Sequence, residues 1–195
     1  MKIPTPESTP LTIEKPDYAR TSYMLSKILG ESLLACSGLN YTTVRFHNVY
    51  GPRMGLSHVV PELLKKAYEL KEGEKLPVYS PKHTRAFCYI DDATVMLQKI
   101  IEAQNCANDT YNIGNEADEI SIESLAWAVL QTVGKDNPLQ YMPDTVGSPV
   151  RRAPAMDKLF STIGNVQMTS IEEGLQRTFD WYHDNVFISS GISAK

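Results

Sequence analysis

Residues 20–53 read "RTSYMLSKILGESLLACSGLNYTTVRFHNVYGPR", and the order of signals within them decides the fold class. From Arg20 to Ser37 the apolar residues Leu25, Ile28, Leu29 and Leu33 recur at helical spacing, and Gly38 is a natural stop. Val44 and Phe46 then alternate in a short strand, and Gly51 with Pro52 turns the chain. Alternation of helix and strand points to an α/β layer structure rather than a bundle or a sandwich.

The same alternation continues downstream. Ser57 stands where a helix cap belongs, and Val60, Leu63, Leu64, Ala67 and Leu70 form the buried stripe of a helix running to about Lys71. Two short strands, Leu76 to Tyr79 and Arg85 to Ile90, flank "SPKHT", which reads as a hairpin. Asp91 or Asp92 begins a helix ending near Cys106, "TYNIG" at 110–114 is a buried strand, and Ser121 caps a helix that stops at Gly134. Ser170 and Glu173 have capping-box spacing, and Ile171, Leu175, Thr178, Phe179 and Tyr182 give the last helix its inner face. Upstream, Pro4, Pro6, Pro10 and Pro16 keep residues 1–17 out of helix as an extended lead-in. Structured chain is expected over 18–187, with a frayed tail at 188–195.

Composition narrows the function classes. The 195 residues suit one sizeable domain, and 42% hydrophobic with 22% charged residues is ordinary for a globular protein. No apolar run is long enough to cross a bilayer, and the N-terminus lacks the apolar region of a secretory signal, so no membrane association and a cytoplasmic setting are expected. Cys36, Cys88 and Cys106 are odd in number and widely spaced within apolar segments, and read as reduced core residues. A net charge of −4 without a basic stripe argues against nucleic acid as a partner. Acidic small molecules need only a few well-placed arginines.

Tyr23 and Lys27 carry the clearest chemical signal. Four apart on a helix, they share one face, and a cation beside a phenol favours phenolate, the requirement for a tyrosine acting as general acid or base. With ten tyrosines in the chain, such a pair alone is a common coincidence. His47 and His58 have no third ligand at metal-binding spacing, so no metal site is read here. Asp91 and Asp92, being adjacent, diverge in direction and suit a helix cap better than a paired-carboxylate site.

Six blocks in order, "SYMLSKILGE", "VRFHNVYGPR", "TRAFCYIDD", "YNIGN", "SPVRRAP" and "SIEEGLQRTFDWY", resemble the extended short-chain dehydrogenase/reductase superfamily, specifically its NAD-dependent sugar-nucleotide epimerases, dehydratases and decarboxylases. The resemblance runs from about Pro4 to Tyr182. It implies a truncated Rossmann-like domain: a partial parallel sheet with a small C-terminal α/β substrate-binding subdomain. It implies that Tyr23 exchanges a proton with a sugar hydroxyl and that Lys27 supports it while holding the nicotinamide ribose of NAD. Phe46 falls where the family packs near the nicotinamide, and Asn48 where it meets the substrate diphosphate. Arg85 and Arg152 resemble two arginines that clamp that diphosphate, while Pro77 and Tyr79 align with the segment along the nucleobase. Arg151, beside the clamp position, reads as a solvated charge.

Departures from the pattern stand beside the matches. His58 occupies a substrate position where many relatives carry asparagine, Ala155 replaces a common aspartate, and Ser80 replaces a frequent glycine. No G-x-G-x-x-G precedes Tyr23, so the glycine-rich unit that holds the dinucleotide is expected to be missing. The expectations are therefore a UDP-, dTDP- or GDP-sugar as ligand, no turnover by the chain alone, and either self-association or pairing with an N-terminal half in trans. A non-catalytic nucleotide-sugar-binding module, or an assembly or remnant protein, is the alternative.

Overall fold

The structure, a computed structural model, describes residues 2–13, 15–18, 21–117 and 119–188. Its first part comprises α1 (Thr21–Ala35), β1 (Thr42–Phe46), β2 (Val49–Tyr50), α2 (Val59–Glu69), β3 (Leu76–Tyr79), β4 (Thr84–Ala86) and β5 (Cys88–Tyr89). There follow α3 (Ile90–Glu102), β6 (Asp109–Ile113), β7 (Glu119–Ser121), α4 (Ile122–Val133), β8 (Leu139–Met142) and β9 (Arg151–Arg152). The chain closes with α5 (Asp157–Ile163), α6 (Ile171–Tyr182) and a π-helical turn, His183–Phe187.

Parallel pairing dominates, as crossovers through helices require. β1 runs parallel to β6 from Thr42↔Asp109 to Phe46↔Ile113, β2 parallel to β5, and β3 parallel to β8. The exception is a three-stranded sheet in the order β7-β4-β9, with β4 antiparallel to β7 and parallel to β9. One core gathers Val60 and Leu64 of α2, Leu125 and Val129 of α4 and Leu175 of α6 against Leu76 and Val78 of β3. A second packs Met96 and Ile100 of α3 with Tyr111 and Ile113 of β6 and Leu159 of α5.

Two helix starts follow the local chemistry of their caps. The Ser121 hydroxyl accepts the Ser124 N–H at 2.9 Å, and Gly134 ends that helix at φ +73°. The Ser170 hydroxyl accepts the Glu173 N–H at 3.2 Å.

Two other starts lie elsewhere than expected. α2 begins after His58, not Ser57, with no side-chain cap bond. α3 begins after Tyr89, and neither Asp91 nor Asp92 caps it. The buried Asp92 carboxylate instead accepts the Thr169 N–H and hydroxyl, both at 2.8 Å, tying α3 to the segment that enters α6. A buried carboxylate requires such partners, and this pairing takes precedence over capping its own helix.

The "SPKHT" segment is a turn but not a hairpin. His83 donates its N–H to the Ser80 carbonyl at 2.9 Å, and the chain then leaves β3 for another sheet. The edges of β4 are taken by β7 and β9, and β3 pairs with β8, so the two expected hairpin strands never meet.

The lead-in is tied to the rest of the chain near its start. Thr5 bridges to Pro154, donating to Ala153 O at 2.8 Å and accepting from Ala155 N–H at 2.9 Å, while the Glu7 carboxylate takes the Asn112 N–H at 2.8 Å. The expected tail at 188–195 falls, apart from Ile188, outside the described residues, as does Arg20.

The first helix leaves most of its apolar residues in the open. Of those at helical spacing, Leu25, Leu29 and Leu33 are 47%, 59% and 62% exposed and Ile28 is partly buried, while Thr21 is the buried residue of α1. No described element covers that face. A fork from Arg45 of β1 to Glu31, Nε to Oε1 at 2.9 Å and Nη2 to Oε2 at 2.6 Å, joins the helix to the sheet. Cys36, just past α1, is exposed, whereas Cys88 and Cys106 are core residues. Burial pushes the Cys88 thiol up to about 12.

Close approach at Gly174 of α6 locks the first core. A Cβ there would collide with the Tyr50 hydroxyl and ring carbon, both part of the buried aromatic cluster with Phe87 and Tyr89. Gly174→Ala is expected to cost about 1–3 kcal/mol in urea denaturation through overpacking, with partial recovery in a Tyr50→Phe background.

Candidate functional site

A cleft of about 440 Å³ opens between α2, the end of β3, β4 and the segment joining β8 to β9. That volume suits a small organic ligand. Five of the substrate residues read from the sequence line it: Asn48, His58, Pro77, Tyr79 and Arg85.

Each is placed by the element beneath it. β3 alternates, with Leu76 and Val78 in the core and Pro77 and Tyr79 on the opposite, cleft-facing side. Asn48 follows β1 at φ +44°, a conformation asparagine tolerates, and its side-chain amide donates to Ala86 O at 3.0 Å. His58 forms the N-cap of α2, its backbone N–H held by Gly55 O at 3.0 Å.

Arg152 does not line the cleft itself but is the register partner of Arg85 across the parallel β4–β9 pair. Partners in register lie on the same face of the sheet, which puts Arg85 and Arg152 on one side of the β4–β9 pair. Arg85 donates to Ser148 Oγ at 2.8 Å and to Thr84 O at 2.7 Å.

The same alternation sends Arg151 and Thr84 to the other face. There Arg151 forks onto Glu119, with Nε and Nη2 within 2.9 Å of the carboxylate, and the Thr84 hydroxyl donates to the same group. Arg151 is therefore a structural ion-pair partner rather than merely solvated. The Arg151 hydrogen bond holds the Glu119 carboxyl below the usual carboxylate range, against the opposing effect of burial.

Tyr23, Lys27 and Phe46 lie outside the cleft lining. Tyr23 is 67% exposed, with Lys27 Nζ 5.3 Å from its ring centroid, over the ring face. Phe46, at the end of β1, is half exposed. These residues do not form a dinucleotide cradle by themselves: the Tyr23 face is open, and among the described residues no glycine-rich turn leads a strand into a helix.

His47 Nε2 donates to Asn112 Oδ1 at 3.0 Å, and burial, reinforced by Arg152 and Arg45, pushes its imidazole down toward the neutral form. Among the described residues no group of three His, Cys, Asp or Glu side chains is placed to hold a metal, and no helix is long and apolar enough to cross a membrane.

Among the cleft residues that sequence reasoning did not assign to the site are Glu62, Lys66, Thr145 and Ser148. Glu62 and Lys66 of α2 line it as a pair at 2.5 Å, Lys66 also lying 5.9 Å from the Tyr79 ring. Their i, i+4 spacing is visible in the sequence, but which helix face meets the cleft is not. Thr145 lies in a loop with no local signature, and Ser148 opens the block "SPVRRAP", where only the arginines suggest a role.

A family model described as "NAD dependent epimerase/dehydratase family" matches residues 2–114. The UDP-N-acetyl-alpha-D-glucosaminuronate decarboxylase of Bacillus cytotoxicus is 30% identical over 178 residues, 85% of this chain and 54% of the relative. The structure of UDP-glucose 4-epimerase from Thermotoga maritima, solved with UDP-glucose, superposes with a TM-score of 0.77 at 25% identity, covering 95% of this chain and 59% of the other. A dTDP-glucose 4,6-dehydratase from Streptomyces venezuelae, solved with NAD, gives 0.78 at 24%, covering 96% and 57%. The chain thus spans about half the length of the curated relatives it matches.

The Glu119–Arg151 pair has a defined pH signature. A carboxyl lowered in the folded state contributes stability above its unfolded value, near 4.5, and loses it as pH falls through the folded value. Arg151→Met is therefore expected to be less stable than the parent at pH 7, with the gap closing below about pH 4; urea midpoints from pH 7 to 3 measure it.

Proposed function

The chain belongs to the NAD dependent epimerase/dehydratase family, and from that premise we propose that it is the substrate-binding portion of an enzyme acting on a nucleotide sugar. The observation that carries this reading is the register of Arg85 with Arg152 beside the 440 Å³ cleft. Planar, permanently charged forks suit a diphosphate, and a pair on rigid neighbouring strands needs little reorganisation to grip one. Asn48 joins them at the diphosphate, while Pro77 and Tyr79 lie along the base and His58 lines the opposite side. UDP- and dTDP-sugars, named for the relatives, are the first ligands to try, with GDP-sugars beside them.

Tyr23 and Lys27 are then the proton-exchanging pair, and Phe46 packs near the nicotinamide. NAD supplies a hydride acceptor when bound. The cradle for it is not formed by this chain, so an N-terminal half, on a longer polypeptide or in trans, completes the site. The open face of α1 and the edge of β1 that no described strand pairs are the surfaces for that half, or for a second copy when it is absent. A cytoplasmic setting fits substrates of this class. The second reading, a binding module without turnover, draws on the contrast between a built cleft and a bare Tyr23.

Titration calorimetry with UDP and dTDP tests the cleft: binding by the parent is expected, and Arg85→Ala or Arg152→Ala should each weaken it about tenfold or more. The chain alone with NAD and a panel of nucleotide sugars should give no turnover. Turnover gained on adding a recombinant N-terminal half would separate the enzyme reading from the binding module. In ultracentrifugation the chain should self-associate, and a monodisperse monomer would count against a partner-seeking α1 face.

A further inference from the structure

Ser80 closes β3 with a backbone that its residue type disfavours. Its φ is +51°, in the left-handed region where a Cβ meets the carbonyl oxygen and glycine is the unstrained choice. The residue is only 5% exposed, so solvent contact does not explain the serine. Its hydroxyl has a specific partner, since Ser80 Oγ accepts the backbone N–H of Thr145 at 2.9 Å. Strain retained at a non-glycine residue points to what the side chain does there.

Thr145 belongs to the segment 143–150, "PDTVGSPV", which links β8 to β9. With Ser148 it forms a wall of the cleft, opposite the α2 residues. At its far end the segment is secured through Arg85 to Ser148 Oγ at 2.8 Å and through the Thr84 N–H to Val150 O at 2.9 Å. Near its start His83 Nε2 stands 3.6 Å from Asp144 Oδ2, beyond hydrogen-bond range. Between these, Val146 is 91% exposed and Gly147 takes φ +74°, so the tip contributes no burial of its own. The first half of the wall follows directly from Met142 in the β3–β8 ladder, a turn bond from the Ser148 N–H to Thr145 O at 3.1 Å braces it, and the Ser80 hydroxyl is the side chain that ties it to the end of β3.

We infer that Ser80 is a positioning residue whose hydroxyl fixes the Thr145–Ser148 wall so that the cleft is preformed for a nucleoside diphosphate. This deepens the proposed function and rests on it. A wall ordered during folding spares the ligand the entropy of ordering it on binding. A glycine would relieve the backbone but offer no acceptor; an alanine would keep the strain and also lose the acceptor.

That pair of substitutions separates positioning from structure. Ser80→Gly and Ser80→Ala, in the full chain, are compared with the parent by urea denaturation, by amide exchange at Thr145 and by calorimetry with UDP and dTDP. Stability should diverge, with the glycine variant at least as stable as its alanine counterpart. Both should nonetheless exchange the Thr145 amide faster and bind the nucleotide about three- to tenfold more weakly. Affinities that follow stability, or that equal the parent's in both variants, overturn the inference while leaving the cleft reading intact. Unchanged Thr145 exchange in the glycine variant does the same. A parent chain that binds neither nucleotide overturns the cleft reading and this inference with it.

Discussion

β4 is three residues long, and the cleft depends on which of its faces each side chain takes. Pinned between β7 and β9, it puts Arg85 beside Arg152 and sends Thr84 to the Glu119–Arg151 pair. A slip of one residue would exchange those faces, setting Thr84 at the cleft and Arg85 against Glu119. The Glu119 fork is therefore more than an ion pair: it opposes the slip by giving one arginine a carboxylate on the structural side. A strand this short has few ladder bonds of its own, so the register leans on such side-chain partners and on the turn at Ser80 that delivers the chain to β4.

The two groups of candidate site residues stand in different physical states. On the cleft side, side chains rest on buried strands and helices whose apolar faces meet in a continuous core. On the Tyr23 side, α1 is held by the Arg45–Glu31 fork, by Thr21 and by little apolar contact. Full burial of a leucine is worth roughly 1.5–3 kcal/mol, and three leucines of α1 sit about half exposed or more. That unclaimed burial exceeds what one partly exposed ion pair supplies.

Local chemistry was legible where a few consecutive residues settle the outcome. Ser121 and Ser170 announce their helices because a hydroxyl and an N–H three residues on are enough to make a cap. Asp92 misled the same reasoning, since its carboxylate is claimed by Thr169 from a distant segment. α5 and β7 went unread because both are short and owe their form to packing and pairing rather than propensity. Of the candidate site, the family resemblance picked out Asn48, His58, Pro77, Tyr79 and Arg85, which the cleft brings together, but gave no role to Glu62, Lys66, Thr145 or Ser148.

From the amino-acid order alone came the α/β class, the main helices, the family and the residue types at its site, because each is written in periodicity, caps or short motifs. Tertiary structure alone decided that "SPKHT" joins two sheets instead of folding a hairpin, that Arg151 finds Glu119 as its partner, and that three leucines of α1 face outward. The reason is common to all three: strand register and the covering of a face are agreements between segments far apart in the chain, and no local pattern records the partner.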